Sequence, residues 1–264
     1  MKKINDFVFQ GDVNHLASFV YQEYEDVLHN AIGASPTLRS RILLHKSTSE
    51  KVQKMIIAFD SKSHIPLVSH VFSETFICIS GEGRYMIYDD GNGYRDIMLG
   101  SYESGHNFMV IIPKYTIEPK EERQRTISIK SNDLMLMKPI KTYDNVRLEE
   151  IESNGYVCNT NVFQLNKEMI EQERIRSGKI FAYKLGDVLH EREYILVMCA
   201  HEQRKIVNGV IHAIHGACVV QSEDQEIEVK KGTTCIIRKN AIIKGIQNET
   251  ILHVVHDRHV THEK

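Results

Sequence analysis

From Pro36 onward the chain is written in short segments rich in Ile, Val, Phe and Tyr, punctuated by turn signals such as Asp89-Asp90-Gly91-Asn92-Gly93 and Glu103-Ser104-Gly105. That alternation of brief apolar runs and tight turns predicts an all-β sandwich or barrel. The pattern also runs twice. Glu74 to Asp89, an apolar strand, Gly81 and a second apolar strand, is echoed by Gly209 to Val220 with Gly216 at its centre. Phe108 to Pro113 is echoed by Gly232 to Arg238. The paired segments lie ~135 and ~125 residues apart, about the size of one small barrel, so two tandem barrels are the economical reading.

Between the copies, Lys141 to Gly155 is polar and charged, and the boundary is expected there. This gives an N-terminal helical extension over residues 1–35, a first barrel over 36–145 and a second over 146–264. The helical piece is expected from Asn14 to Ala31, where Leu16, Phe19, Val20, Tyr24, Val27 and Leu28 recur at helical spacing. Asn14 is its candidate cap, and Gly33 with Pro36 stops it. Asn166 to Ser177 has helix-forming composition, with Asn166 as cap and Gly178 as stop, but its few apolar positions leave helix and loop both open.

With 264 residues the chain can bury a substantial core. Its 33 Lys and Arg nearly balance 35 Asp and Glu, so no basic excess exists to track a phosphate backbone, and nucleic acid is not an expected partner. No apolar run approaches the ~18 residues of a membrane span, and Met1 to Asp6 lacks the apolar core of a secretory signal, so the cytoplasm is the expected compartment. Cys78, Cys158, Cys199, Cys218 and Cys235 are odd in number and scattered, as in a reducing compartment. All but Cys158 sit inside apolar runs, where burial raises a thiol's pKa rather than activating it.

The stretch Ile65 to Pro119 carries the motif with chemical content. Val68-Ser69-His70, then Glu74, then Gly81 fit a frame of two histidines flanking one residue, a carboxylate and a glycine; Pro113 to Glu118 fits a later segment that ordinarily ends in histidine. This frame resembles the metal site of a cupin barrel, with two of its four ligand positions changed. Ala34 to Arg41, Leu43-Leu44-His45, Val52 to Ala58, His70, Glu74, Gly81, Tyr88-Asp89-Asp90-Gly91 and Ile112-Pro113 together resemble the WbuC-like cupin family. The resemblance spans about residues 15 to 120. It implies a cupin jelly roll in the first half and a role in O-antigen, other surface-polysaccharide or nucleotide-sugar metabolism; with the internal echo, the expected fold is an all-β tandem double-stranded β-helix, a jelly-roll bicupin with a helical N-terminal extension.

In the family pattern a Pro-His-x-His run leads into the glutamate; here Leu67-Val68 stand in place of Pro-His, and only His70 persists. The ligands carried over are His70 and Glu74, with Glu118 in place of the later histidine. Together they would hold a divalent Fe, Mn, Ni or Zn. In the second half the carboxylate position falls at Gly209 and the late histidine at Ile243, so no metal is expected there.

Three readings of these residues stay open. They form the metal site of an isomerase- or epimerase-like enzyme, with Glu74 and Glu118 as candidate acid and base, a metal-dependent dioxygenase on the same fold ranking below it. They are a hydrogen-bonded polar pair left in a barrel mouth. Or they line a metal-free sugar or nucleotide-sugar pocket with Arg84. A straight strand would separate His70 and Glu74 by ~13 Å, so metal binding needs a turn at Val71-Phe72-Ser73. By fold analogy a homodimer is expected.

Other candidates carry less. His253, His256, His259 and His262 recur every third residue, which on a strand sends successive members to opposite faces, and a frayed terminal strand with solvated histidines is the favoured reading. Gly81-Glu82-Gly83 and Asp89 to Gly93 read as hairpin turns, and Glu121 to Arg125 as an exposed loop.

Overall fold

The computed structural model describes residues 1–36, 38–45, 54–60, 67–68, 74–89, 93–112, 128–129, 163–177, 182–184 and 193–256. In chain order they form β1 (Lys2–Lys3), β2 (Val8–Gln10), β3 (Ala17–Val20), α1 (Tyr21–Ile32), β4 (Arg39–Leu43) and β5 (Met55–Phe59). Next come β6 (Leu67–Val68), β7 (Glu74–Ile77), β8 (Glu82–Asp89), β9 (Gly93–Gly100), β10 (Asn107–Ile112), β11 (Ser128–Ile129), β12 (Phe163–Asn166) and α2 (Lys167–Ser177). The chain ends in β13 (Ala182–Lys184), β14 (Glu193–Met198), β15 (Gln203–His215), β16 (Ala217–Gln221), β17 (Glu226–Lys230), β18 (Thr233–Gly245) and β19 (Thr250–His256). The fold is all-β, as the turn-punctuated sequence predicts.

Two compact units divide the chain, and neither is a continuous stretch. One gathers Met1–Ala31, Ser40–Ile57 and Glu171–Lys264; the other gathers Ile32–Arg39 and Ala58–Ile170.

Within the unit containing residues 58–170, β10 is the central strand. Phe108, Met109, Val110 and Ile111 are all 1% exposed or less, because β10 is flanked by β7 and β12 and its residues are covered on both faces. Chain direction reverses at Gly81, whose φ of 75° is available to glycine without steric cost, so β7 leads into β8. β8 and β9 pair antiparallel from Glu82↔Gly100 to Asp89↔Gly93. Gly105, φ 82°, then starts β10, which pairs antiparallel with β7.

The other unit repeats this plan. β15 turns at Gly216, φ 70°, into β16; β16 pairs antiparallel with β17; and Gly232, φ 81°, starts β18, which pairs antiparallel with β15. Four glycines in left-handed turns thus mark the same two places in each of two copies of one motif. In the second copy β15 and β18 are 13 residues each and join an eight-stranded sheet that also takes β3 alongside β18. Its interior is apolar: Ile206, Ile211, Cys235, Ile243, Leu252 and Val254 are all 1% exposed or less.

The helix expected from Asn14 begins later, at Tyr21. Ala17 and Phe19 are buried and Ser18 is exposed, a period of two, and β3 pairs antiparallel with Thr233–Ile236. Leu16, Phe19 and Val20 satisfied a helical period by spacing alone, and the edge of the large sheet claimed them. Leu16 itself takes φ 53° and lies 2% exposed within the apolar cluster. Burying a leucine is worth about 1.5–3 kcal/mol, the same order as the strain of that backbone conformation. Gly33 follows α1, as expected. The open question at Asn166 resolves to a helix: its Oδ1 accepts the Met169 N–H at 2.9 Å, an N-cap on α2.

Candidate functional site

Of the predicted ligands, His70 and Glu118 lie outside the described residues, as do His64, His259 and His262. Glu74 opens β7 directly opposite Ile112, the last residue of β10. Because the ladder is antiparallel, the segment that arrives from His70 and the segment that departs toward Glu118 both attach at this one end. Arg84, the further anchor of the sugar reading, lies within β8 opposite Met98.

At the other end of the ladder the described side chains serve packing. Tyr102, 2% exposed, meets Phe108 edge-on with ring centroids 5.2 Å apart, and Lys167 Nζ sits 5.2 Å over the Tyr102 ring while pairing with Glu103 at 2.6 Å. The ion pair is substantially exposed, so its effect on stability is small. Cys78 follows β7 and donates weakly to the Ser80 and Gly81 carbonyls, both at 3.4 Å; burial pushes its thiol up to about 12, which removes it as a nucleophile.

In the second copy the positions matched to metal ligands are closed by packing. A Cβ at Gly209 would lie 2.6 Å from the Val255 carbonyl oxygen and 3.2 Å from Ile206 Cδ1, so a carboxylate side chain has no space there. Ile243 is 1% exposed in the apolar cluster. Among the described residues of the whole chain, no group of three His, Cys, Asp or Glu side chains is arranged to hold a metal ion.

The solvated histidine tail is overturned where it can be seen. β19 lies between β14 and β15, and His253 and His256 are 3% and 4% exposed. They do face opposite sides, as three-residue spacing on a strand requires. His253 is the register partner of His212, whose Nδ1 lies 2.9 Å from Thr234 Oγ1. Burial first, then the positive charge of Lys54 and the neighbouring His253, holds His212 well below the ordinary imidazole value. His256 places Nε2 3.1 Å from the Tyr194 hydroxyl and Nδ1 3.3 Å from the Val207 carbonyl. Burial lowers its pKa, partly offset by that carbonyl. His212 carried no sequence signal beyond its place in an apolar run.

Cysteine placement also departs in one case. Cys78, Cys218 and Cys235 are buried, but Cys199 is exposed at the turn after β14, where its N–H donates to Glu202 Oε2 at 2.7 Å. The apolar run that suggested burial continues to Ala200, but the strand ends one residue before Cys199, at Met198.

Known structures define the class. A cupin 2 conserved barrel domain protein from Leptotrichia buccalis superposes with a TM-score of 0.54 at 9% identity, covering 93% of this chain and 99% of that one. A mutant salicylate 1,2-dioxygenase from Pseudoaminobacter salicylatoxidans in complex with gentisate gives 0.56 at 9% identity, covering 92% and 82%. The chain therefore has the cupin fold, in the two-barrel arrangement. Residues 21–98 match a family model described as a domain of unknown function, DUF6016. No curated protein matches the sequence. Among the described residues no helix is long and apolar enough to cross a membrane.

Proposed function

We propose that this cupin-fold protein binds a sugar or nucleotide-sugar in its first barrel, residues 36–145, and that the second, 146–264, is structural. His70, Glu74 and Glu118 form the site. One imidazole and two carboxylates suit divalent Fe, Mn, Ni or Zn, and such an ion supplies Lewis acidity toward a sugar hydroxyl or carbonyl oxygen. Glu74 and Glu118 orient the ligand and exchange protons with its hydroxyls. The resemblance to WbuC-like proteins supports a place in surface-polysaccharide metabolism in the cytoplasm, with the protein acting as a homodimer.

One observation carries this reading. The Glu74↔Ile112 pairing brings the segments bearing His70 and Glu118 off the same end of one ladder, while the matching positions of the second copy, Gly209 and Ile243, are packed shut. The gentisate bound by a structural neighbour fits a barrel used for small molecules. The alternative, a sugar-binding or scaffold bicupin without metal, is favoured by the loss of histidine at positions 68 and 118. Calorimetric titration of the full chain with UDP-glucose tests the binding. Saturable binding that disappears in Glu74→Ala, with circular dichroism unchanged, supports the site; no binding, or binding unaffected by that substitution, refutes it.

A further inference from the structure

A cavity of about 350 Å³ opens in the unit built from the N-terminal segment and residues 171–264. Three pieces of chain shape it. A register shift between Val207 and Gly209 lifts Asn208 out of the β15 ladder at φ 42°, a left-handed conformation that asparagine tolerates better than most residues. The turn from Ser222 to Asp224 closes one side, held by the Ser222 N–H to the Gln225 carbonyl at 2.8 Å. Arg238 and Lys239 of β18 also line it, and Arg238 is tied to the N-terminal segment: its backbone N–H donates to His15 Nδ1 at 3.1 Å and its Nε to the Val13 carbonyl at 3.3 Å.

That first hydrogen bond fixes the state of His15. Nδ1 accepts, so the ring proton of the neutral imidazole resides on Nε2. Burial and the Lys239 charge hold the imidazole below its ordinary pKa against the opposing pull of Asp224, which keeps it neutral near pH 7. Yet His15 Nε2 is buried and has no hydrogen-bond partner among the described residues, and the same is true of Ser222 Oγ. Buried polar atoms are nearly always satisfied, and both residues line this cavity.

We propose that this cavity binds a small hydroxylated metabolite carrying an oxyanion, a phosphate ester or a carboxylate. The oxyanion accepts from His15 Nε2–H and the Ser222 hydroxyl and is balanced by Arg238 and Lys239. Glu223 and Asp224, which also line the cavity, accept from the ligand's hydroxyl groups; with two acidic and two basic side chains present, a bare anion gains little from net charge. The site lies outside the 36–145 barrel and does not depend on Glu74.

The test uses the ¹⁵N-labelled full chain and follows the His15 ring nitrogens while glucose 6-phosphate, gluconate or glucose is added. Saturable shifts are expected with glucose 6-phosphate, gluconate or both, the preference separating phosphate from carboxylate, and none with glucose. Lys239→Ala, an exposed position that folding does not need, should weaken binding about tenfold, the loss of one charge-assisted contact, and Ser222→Ala should weaken it similarly. Absence of saturation by either anion up to about 20 mM, or affinities unchanged in Lys239→Ala, overturns the proposal.

Discussion

Gly81 and Gly216 occupy the same turn in two copies of one motif. Each ends the strand that pairs antiparallel with the later strand of its copy, and each adopts a left-handed φ, 75° and 70°. Their surroundings make the second turn testable. A Cβ on Gly216 would overlap the Glu249 carbonyl oxygen, a backbone atom that cannot swing aside, whereas Gly105, φ 82°, has nothing within 4 Å. Gly105→Ala should cost about 1 kcal/mol for the backbone conformation alone, and Gly216→Ala clearly more, read from urea midpoints. Equal costs would contradict the packing at Gly216.

The Asn166 cap is a second point of attack. Removing its side-chain acceptor leaves the Met169 N–H unsatisfied, so Asn166→Ala should lower stability by about 1 kcal/mol while Asn166→Asp stays near neutral. A loss of the same size in both variants would show that the side chain acts otherwise than as a cap.

Acid stability follows from His212. In the unfolded chain its imidazole titrates near 6.5, and in the folded protein well below that, because the charged form is excluded from a buried site beside Lys54 and His253. As pH falls the unfolded chain takes up this proton first. The contribution is therefore complete above about pH 7 and is lost progressively below 6.5, and His256 shifts in the same direction. Urea midpoints should decline between about pH 6.5 and 5, less steeply in His212→Gln, whose amide retains a hydrogen bond to Thr234. An identical slope in that variant would assign the decline elsewhere.

Thiol labelling separates the cysteines. Burial pushes Cys78, Cys218 and Cys235 up to about 12, and Cys199 is exposed. Under native conditions at about pH 8, mass spectrometry should find alkylation at Cys199 and protection of Cys78, Cys218 and Cys235 until denaturant is added. Modification of Cys78 in the folded protein would contradict its burial.

The fold was legible because its signals were local. Gly81, Gly105, Gly216 and Gly232 stood at matched places, and left-handed turns between apolar strands require glycine more than any other residue. Elements fixed by distant partners were harder to read. Ala17–Val20 reads as helix until β18 supplies a ladder for it, and His253 and His256 read as solvated until β14 and β15 cover them. At the candidate site, the spacing from Glu74 to Gly81 located the strand and turn, but whether His70 and the distant segment led by Pro113 meet Glu74 in space is a property of strand pairing, which spacing does not encode. His15 was invisible for the same reason, since its partner Arg238 lies 223 residues away.

On the proposed reading, His70, Glu74 and Glu118 hold a divalent metal in the first barrel and the second barrel holds none. Metal analysis of the purified chain, prepared without a chelating tag, tests it most directly. The expected result is close to one equivalent of Fe, Mn, Ni or Zn per chain, lost in His70→Ala and Glu118→Ala with the fold intact. Metal retained in both variants, or none bound by the wild-type protein after incubation with each of these ions, would contradict it.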